Sequence, residues 1–220
     1  MRSPIPQPPA GRPAALAQYR QRAAHYDAEL ALFEPLRTEA VGLLALRPGQ
    51  RVLDVGCGTG LSFAPLARAV GARGAIIGIE QSPEMMQRAR ERIVRHRWRN
   101  VTLIAAPAQT AIVPGPIDAA LFHFTHDVLR EPQALDNVLG HLQPGARVVA
   151  VGLQWAPPWA WPVNCFVTLA ALHSVSSLGG LDRPWDLLAR HLEQFQVHSA
   201  MQGGVFVASG LFQPGLAQRH

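Results

Sequence analysis

Lysine is absent from this sequence: all twenty of its Lys-plus-Arg positions are arginine. That excludes a Schiff-base lysine, a P-loop lysine and an anchor for pyridoxal phosphate. Charge is scarce in general, at 16% of residues, which excludes a disordered polyelectrolyte. Cysteine is scarcer still. Cys57 and Cys165 lie far apart and outside any CxxC spacing, so neither a disulfide framework nor a Cys-rich zinc site is expected, and a reducing, cytoplasmic setting fits. No apolar run follows Met1-Arg2, so no secretory leader is expected, and the Pro- and Gly-rich residues 1–13 read as a flexible tail. Apolar content, by contrast, is 48%, enough for the core of one domain over residues 14–215.

The apolar pattern alternates between strand and helix. Residues 13–45 read as helical, with Tyr19, Tyr26 and Phe33 on one face, and Pro48-Gly49 stops them. Short strands are expected at 51–55, 75–79, 101–105, 117–122 and 147–152. Helices are expected at 61–70, after the N-cap Ser82 and Pro83, and along Leu135, Val138, Leu139 and Leu142. Strand–helix alternation through four crossovers predicts an α/β fold, a doubly wound and mostly parallel sheet with helices on both faces. Beyond residue 152 the rhythm changes. Trp185, Leu188, Leu192 and Phe195 suggest one more helix, and two strands around Gly203-Gly204 suggest a closing antiparallel pair.

The sharpest feature is Asp54-Val55-Gly56-Cys57-Gly58-Thr59-Gly60, which follows the first strand. In a doubly wound sheet the ligand lies at the carboxyl ends of the strands. Glycines let the backbone approach it without a Cβ clash, and the N–H groups of the next helix suit a carboxylate. Glu80 ends the second strand, where its carboxylate can accept hydrogen bonds from two ribose hydroxyls. The run is G-x-G-x-G with an acid two residues ahead, whereas dinucleotide folds favour G-x-G-x-x-G.

With these residues the chain resembles the class I S-adenosylmethionine-dependent methyltransferases, closely over residues 19–152 and loosely beyond. Val52 to Gly60 is similar to the family's first motif and Gly78-Ile79-Glu80-Gln81-Ser82-Pro83-Glu84-Met85 to its second-strand motif, while Leu142 to Arg147 resembles the segment entering the fifth strand. The resemblance implies a seven-stranded Rossmann-like sheet with S-adenosyl-L-methionine as cofactor. It implies that the glycine loop, with Asp54, Gly56, Cys57, Gly58 and Gly60, holds its methionine end and Glu80 its ribose, with Gln81 a further cofactor-binding residue. Relatives often carry Asp-Ala after the third strand to receive the adenine amino group. Here the stretch is Ala106-Pro107-Ala108, which leaves adenine to backbone groups near Ala108, to apolar packing or to Gln109. Tyr26-Asp27 resembles the segment that covers the cofactor in relatives.

The fourth strand ends in His123-Phe124-Thr125-His126-Asp127, which in this family opens onto the transferred methyl. His126 is the candidate general base, oriented by Asp127 or Thr125, and His123 a candidate contact to the methionine moiety. His-x-x-His-Asp lacks a third ligand of matching spacing, and Asp136-Asn137 falls inside a helix, so no metal is expected. Trp155, Trp159 and Trp161 are candidate walls of the acceptor pocket, suited to a flat or cationic molecule. They open residues 153–184, an expected acceptor-pocket or lid insert whose stretch 153–181 has no Asp, Glu or Arg. Arg88, Arg92, Arg95 and Arg99 share a helix face, read as solvated because Glu84 and Glu91 stand at i,i+4 spacing. The partner expected is therefore a small-molecule methyl acceptor, without nucleic acid. A lipid- or quinone-directed methyltransferase at a membrane surface is the second reading. A nicotinamide-dependent oxidoreductase and a cofactor-binding module without turnover are readings of another class.

Overall fold

Val52, Leu53 and Val55 are wholly buried, because the strand they form lies inside a sheet covered on both faces. The computed structural model describes residues 33–174 and 180–219. In chain order these form α1 (Glu34–Leu43), β1 (Arg51–Val55), α2 (Phe63–Val70), β2 (Ala75–Glu80), α3 (Pro83–His96), β3 (Val101–Ala105), β4 (Ile117–His123), α4 (His126–Leu129), α5 (Pro132–Leu139), β5 (Leu142–Leu153), α6 (Trp161–Ser174), α7 (Asp186–Ala189), β6 (Leu192–Ala200) and β7 (Val205–Phe212). The seven-stranded sheet has the order β3-β2-β1-β4-β5-β7-β6. Only β7 runs against its neighbours.

Alternation along β1 sorts its side chains between two cores. Leu53 and Val55 face Leu135 and Val138 of α5 together with Phe122 and Val148. Val52 faces the opposite layer, where α1 and α2 supply Leu36, Ala40, Phe63 and Leu66. A fully buried aliphatic side chain of this kind contributes roughly 1.5–3 kcal/mol. Local signals agree with the fold at α3: Ser82 accepts a hydrogen bond from the Met85 N–H at 3.3 Å and Pro83 occupies the first turn. The strand order reverses direction between β1 and β4, so the crevice of the sheet opens where these two strands end.

Two expectations are corrected. Leu192 and Phe195 lie on β6, and the helix before them is the single turn Asp186–Ala189. A β-bulge between Glu193 and Gln196, with Gln194 at φ 51°, inserts an extra residue. Leu192 and Phe195 then reach the same core despite a spacing of three, which imitates a helical period. Leu142 likewise starts β5, paired with Ile117, rather than ending a helix. The expected pair of closing strands is present, with Ala200 opposite Val205. Tyr19, Tyr26 and residues 1–13 lie outside the described residues. Among those described, no helix is long and apolar enough to cross a membrane.

Candidate functional site

The glycine loop leaves β1 and turns under the end of β4. Gly56 takes φ 64°, and a Cβ there would lie 2.5 Å from Cγ2 of Thr125, so only glycine lets the two strand ends meet. Cys57 donates its N–H to the Ile79 carbonyl at 2.9 Å, and Gly60 donates its N–H to the Cys57 carbonyl at the same distance. Glu80 braces this loop from β2. Its carboxylate accepts the Gly58 N–H at 3.0 Å and the Ser82 N–H at 2.7 Å. Burial raises the Glu80 pKa, while the N–H groups of Ser82, Gly58 and Gln81 pull it back. The loop, Glu80 and the ends of β1 and β4 therefore form one hydrogen-bonded unit.

Beside it lies a cavity lined by Arg37, Asp54, Gly56, Cys57, Gly58, Thr59, Ser62, His123 and Phe124 among others. Asp54 is 1% exposed, and burial lifts its pKa to about 7; the Arg37 guanidinium lowers it and the Glu80 carboxylate raises it further. Burial, with Asp54 and Glu80 adding to it, holds the Cys57 thiol well above its usual pKa, so it stays protonated. Arg37, 3% exposed on α1, bonds to Glu34 at 3.0 Å and to the Ser62 hydroxyl at 3.2 Å. Burial, and then the nearby Arg37 charge, push the His123 pKa well below its usual value, so its ring is neutral at pH 7.

Three of these cavity-lining side chains keep a buried polar atom with no partner: Arg37 Nη2, Asp54 Oδ2 and His123 Nε2. Such atoms cost about 1–3 kcal/mol each when left unsatisfied. A cation donor and a carboxylate acceptor on residues around one cavity fit a zwitterionic ligand, and the imidazole nitrogen of His123 lies on a third lining residue. Arg37 and Ser62 carried no sequence signal, since an arginine on an amphipathic helix normally reads as solvated.

The remaining predicted residues are placed as follows. His126 is 2% exposed; its Nε2 pairs with the Leu153 carbonyl at 3.0 Å and it is not among the cavity-lining residues. Its ring lies against Gly152, where a Cβ would come within 2.7 Å of Nε2. Asp127 and Gln81 are exposed. Ala108 is buried, and Asn137 of α5 donates to its carbonyl at 2.8 Å and to that of Ala111 at 2.9 Å. Asn137 thus fastens the loop after β3. The three tryptophans do not line the cavity: Trp155 packs partly buried beside the second core, whereas Trp159 and Trp161 are 79% and 68% exposed. Among the described residues, Phe124 is the one phenylalanine that lines the cavity, and it packs on Phe33. Phe33 lies 4.7 Å from Phe124 and 6.4 Å from Phe166 of α6, ring centre to ring centre.

Fold and site together define a class I S-adenosylmethionine-dependent methyltransferase. A family model described as protein-L-isoaspartate(D-aspartate) O-methyltransferase matches residues 18–153, and the chain belongs to that family. It is 33% identical over 97 residues to aklanonic acid methyltransferase DauC of Streptomyces sp. (strain C5), covering 44% of each chain. It is 53% identical over 57 residues to the 23S rRNA (uracil(1939)-C(5))-methyltransferase RlmD of Acinetobacter baumannii (strain SDF), covering 26% of this chain and 12% of that one. The chain thus spans less than half the length of these curated relatives. Among solved structures it is similar in fold to N-methyltransferase NodS from Bradyrhizobium japonicum WM9 in complex with S-adenosyl-L-homocysteine. The TM-score is 0.66 at 17% identity, with 90% of this chain and 98% of that one covered.

Proposed function

We propose that this protein transfers a methyl group from S-adenosylmethionine to an oxygen or nitrogen atom of a small, largely apolar organic molecule. The observation that carries this reading is the convergence of three unpartnered polar atoms, on Arg37, Asp54 and His123, beside the glycine loop. In this reading Asp54 holds the cofactor's ammonium, Arg37 and Ser62 its carboxylate, and Glu80 with Gln81 its ribose. The backbone near Ala108 borders the adenine. The bound cofactor supplies an electrophilic methyl on a sulfonium, which leaves the protein chiefly a task of alignment.

His123 stands at the end of β4 with its ring neutral and Nε2 unpartnered. It serves as hydrogen-bond acceptor for the nucleophile and takes its proton where one must leave. His126, anchored on Leu153, has a positioning role beneath it. Phe124, which lines the cavity and packs on the buried Phe33, gives the acceptor side an apolar face suited to a flat molecule. The uncharged 153–181 segment, with Trp159 and Trp161 exposed, supports a second reading in which that acceptor is met at a lipid surface.

The test is turnover. The purified chain is incubated with S-adenosylmethionine and a panel of hydroxylated aromatics, amines and isoaspartyl peptides. Release of S-adenosylhomocysteine with an aromatic small molecule supports the proposal; turnover confined to isoaspartyl peptides overturns the acceptor assignment. Co-sedimentation with phospholipid vesicles separates the second reading from the first.

A further inference from the structure

At the opposite end of the sheet from the glycine loop lies a second concavity, of about 600 Å³, within the range typical of ligand sites. It is bordered by the exit of α2 and by the turn between α3 and β3. Its walls are Arg68, His96, Arg97, Trp98 and Arg99 over a floor of Ala64, Ala67, Gly71 and Ala72. No carboxylate lines it. Arg73, in the turn after α2, and Arg95, in the last turn of α3, stand nearby in sequence. Among the described residues, Arg68, Arg73, Arg97 and Arg99 have no carboxylate within ion-pair distance.

Two observations separate this groove from an ordinary solvated face. Asn100, in the turn after α3, donates to the carbonyls of Gly71 at 3.1 Å and Gly74 at 3.0 Å in the turn after α2. Arg97 occupies the left-handed position that ends α3, at φ 56°, where glycine is the residue favoured. An arginine is therefore held where the backbone asks for none. The groove also carries a stacking surface. The exposed His96 lies parallel on Trp98, centroids 4.5 Å apart and planes 11° apart, and Trp98 is wedged edge-on against the buried Phe63. Asn100 stitches the two bordering turns together, so the platform is preformed.

Planar guanidinium forks facing one groove are donors for phosphate oxygens. A histidine face backed by tryptophan accepts a nucleobase. The geometry points to a nucleotide-binding groove, with phosphate on Arg68, Arg97 and Arg99 and the base against His96. The ligand is a free nucleotide or one nucleotide of a single RNA strand. Whereas the glycine loop follows the end of β1, the groove adjoins the starts of β2 and β3. It anchors a ligand there without presenting it for methylation.

The experiment titrates the full chain into fluorescein-labelled decauridylate, followed by anisotropy, with unlabelled uridine monophosphate as competitor. Uridine probes keep the adenosine end of the cofactor site out of the readout. Binding is expected to weaken steeply with added salt. It is expected to fall about tenfold in Arg97→Gly, whose thermal midpoint equals or exceeds that of the wild type. His96→Ala lowers affinity several-fold, and S-adenosylhomocysteine affinity by calorimetry is unchanged in both variants. Displacement by the mononucleotide assigns the groove to free nucleotides, and binding of the oligomer alone assigns it to an RNA strand. No anisotropy change at low salt, or equal affinity in the Arg68→Ala/Arg97→Gly/Arg99→Ala triple variant, overturns the proposal.

Discussion

Asp54 is the residue whose chemistry is most displaced by its surroundings. Its pKa of about 7, set first by burial, means that this carboxyl is partly protonated at neutral pH. A cofactor ammonium prefers the carboxylate, so affinity for S-adenosylhomocysteine is expected to rise with pH up to about 7 and level off above it. Calorimetry from pH 5.5 to 8.5 measures this, and Asp54→Asn should flatten the curve while weakening binding throughout. Glu80 offers a second measurement. Glu80→Ala removes the acceptor of the ribose hydroxyls and the brace on Gly58 and Ser82. Cofactor affinity should fall roughly tenfold to a few hundredfold, the scale of ~1.5–3 kcal/mol.

The two histidines after β4 are separable by kinetics. His123→Asn is expected to lower kcat with cofactor affinity nearly intact, because the lost nitrogen faces the acceptor in the proposed arrangement. His126 is read out instead in the fold's stability. Burial lowers its pKa, against the opposing effects of the Leu153 hydrogen bond and Asp127. A base whose folded pKa lies below its unfolded value contributes stability above the unfolded pKa and loses it as pH falls toward the folded one. His126→Gln should therefore show a shallower loss of thermal midpoint below about pH 6.5.

At the scale of elements, α6 is the member whose sequence conceals its setting. It turns Val163, Asn164, Val167 and Ala171 inward or partly so and exposes Trp161, Cys165, Phe166 and Leu169. What holds it is Asn164, whose side chain accepts the Ala156 N–H at 2.8 Å and donates to the Ala156 carbonyl at 3.1 Å. Asn164→Ala is expected to cost about 1–3 kcal/mol by denaturant unfolding, because both backbone groups of Ala156 lose their partner. It should also raise the KM for the acceptor more than that for the cofactor, since it loosens the 154–160 connection beneath α6. The bulge in β6 teaches the related lesson that a three-residue apolar spacing is compatible with a strand once one residue is inserted.

Taken whole, the molecule joins elements distant in sequence at one crevice: α1 supplies Arg37, β1 supplies Asp54, β2 supplies Glu80 and β4 supplies His123. A cofactor that satisfies Arg37, Asp54 and Glu80 binds only the native state. S-adenosylhomocysteine at about 100 times its Kd should therefore add ~2.7 kcal/mol of stability. For a domain of this size that is roughly 5–10 °C in Tm by scanning calorimetry. Arg37→Met is expected to lose most of that increment at the same ligand concentration.

The parallel sheet, the glycine loop and Glu80 were all legible in the chain. Each rests on interactions between near neighbours in sequence: β-branched runs, a turn that excludes side chains, and an acid at a strand end. Arg37, the packing of Phe33 on Phe124 and the anchoring of His126 on Leu153 were not, because the surroundings of those groups are conferred by partners between 25 and about 90 positions away. Trp159 and Trp161 show the converse, since aromatic character in the sequence did not decide that these rings would be exposed. Local conformational preference is written in adjacent residues, whereas the dielectric and hydrogen-bond environment of a side chain exists only once the layers have packed around it.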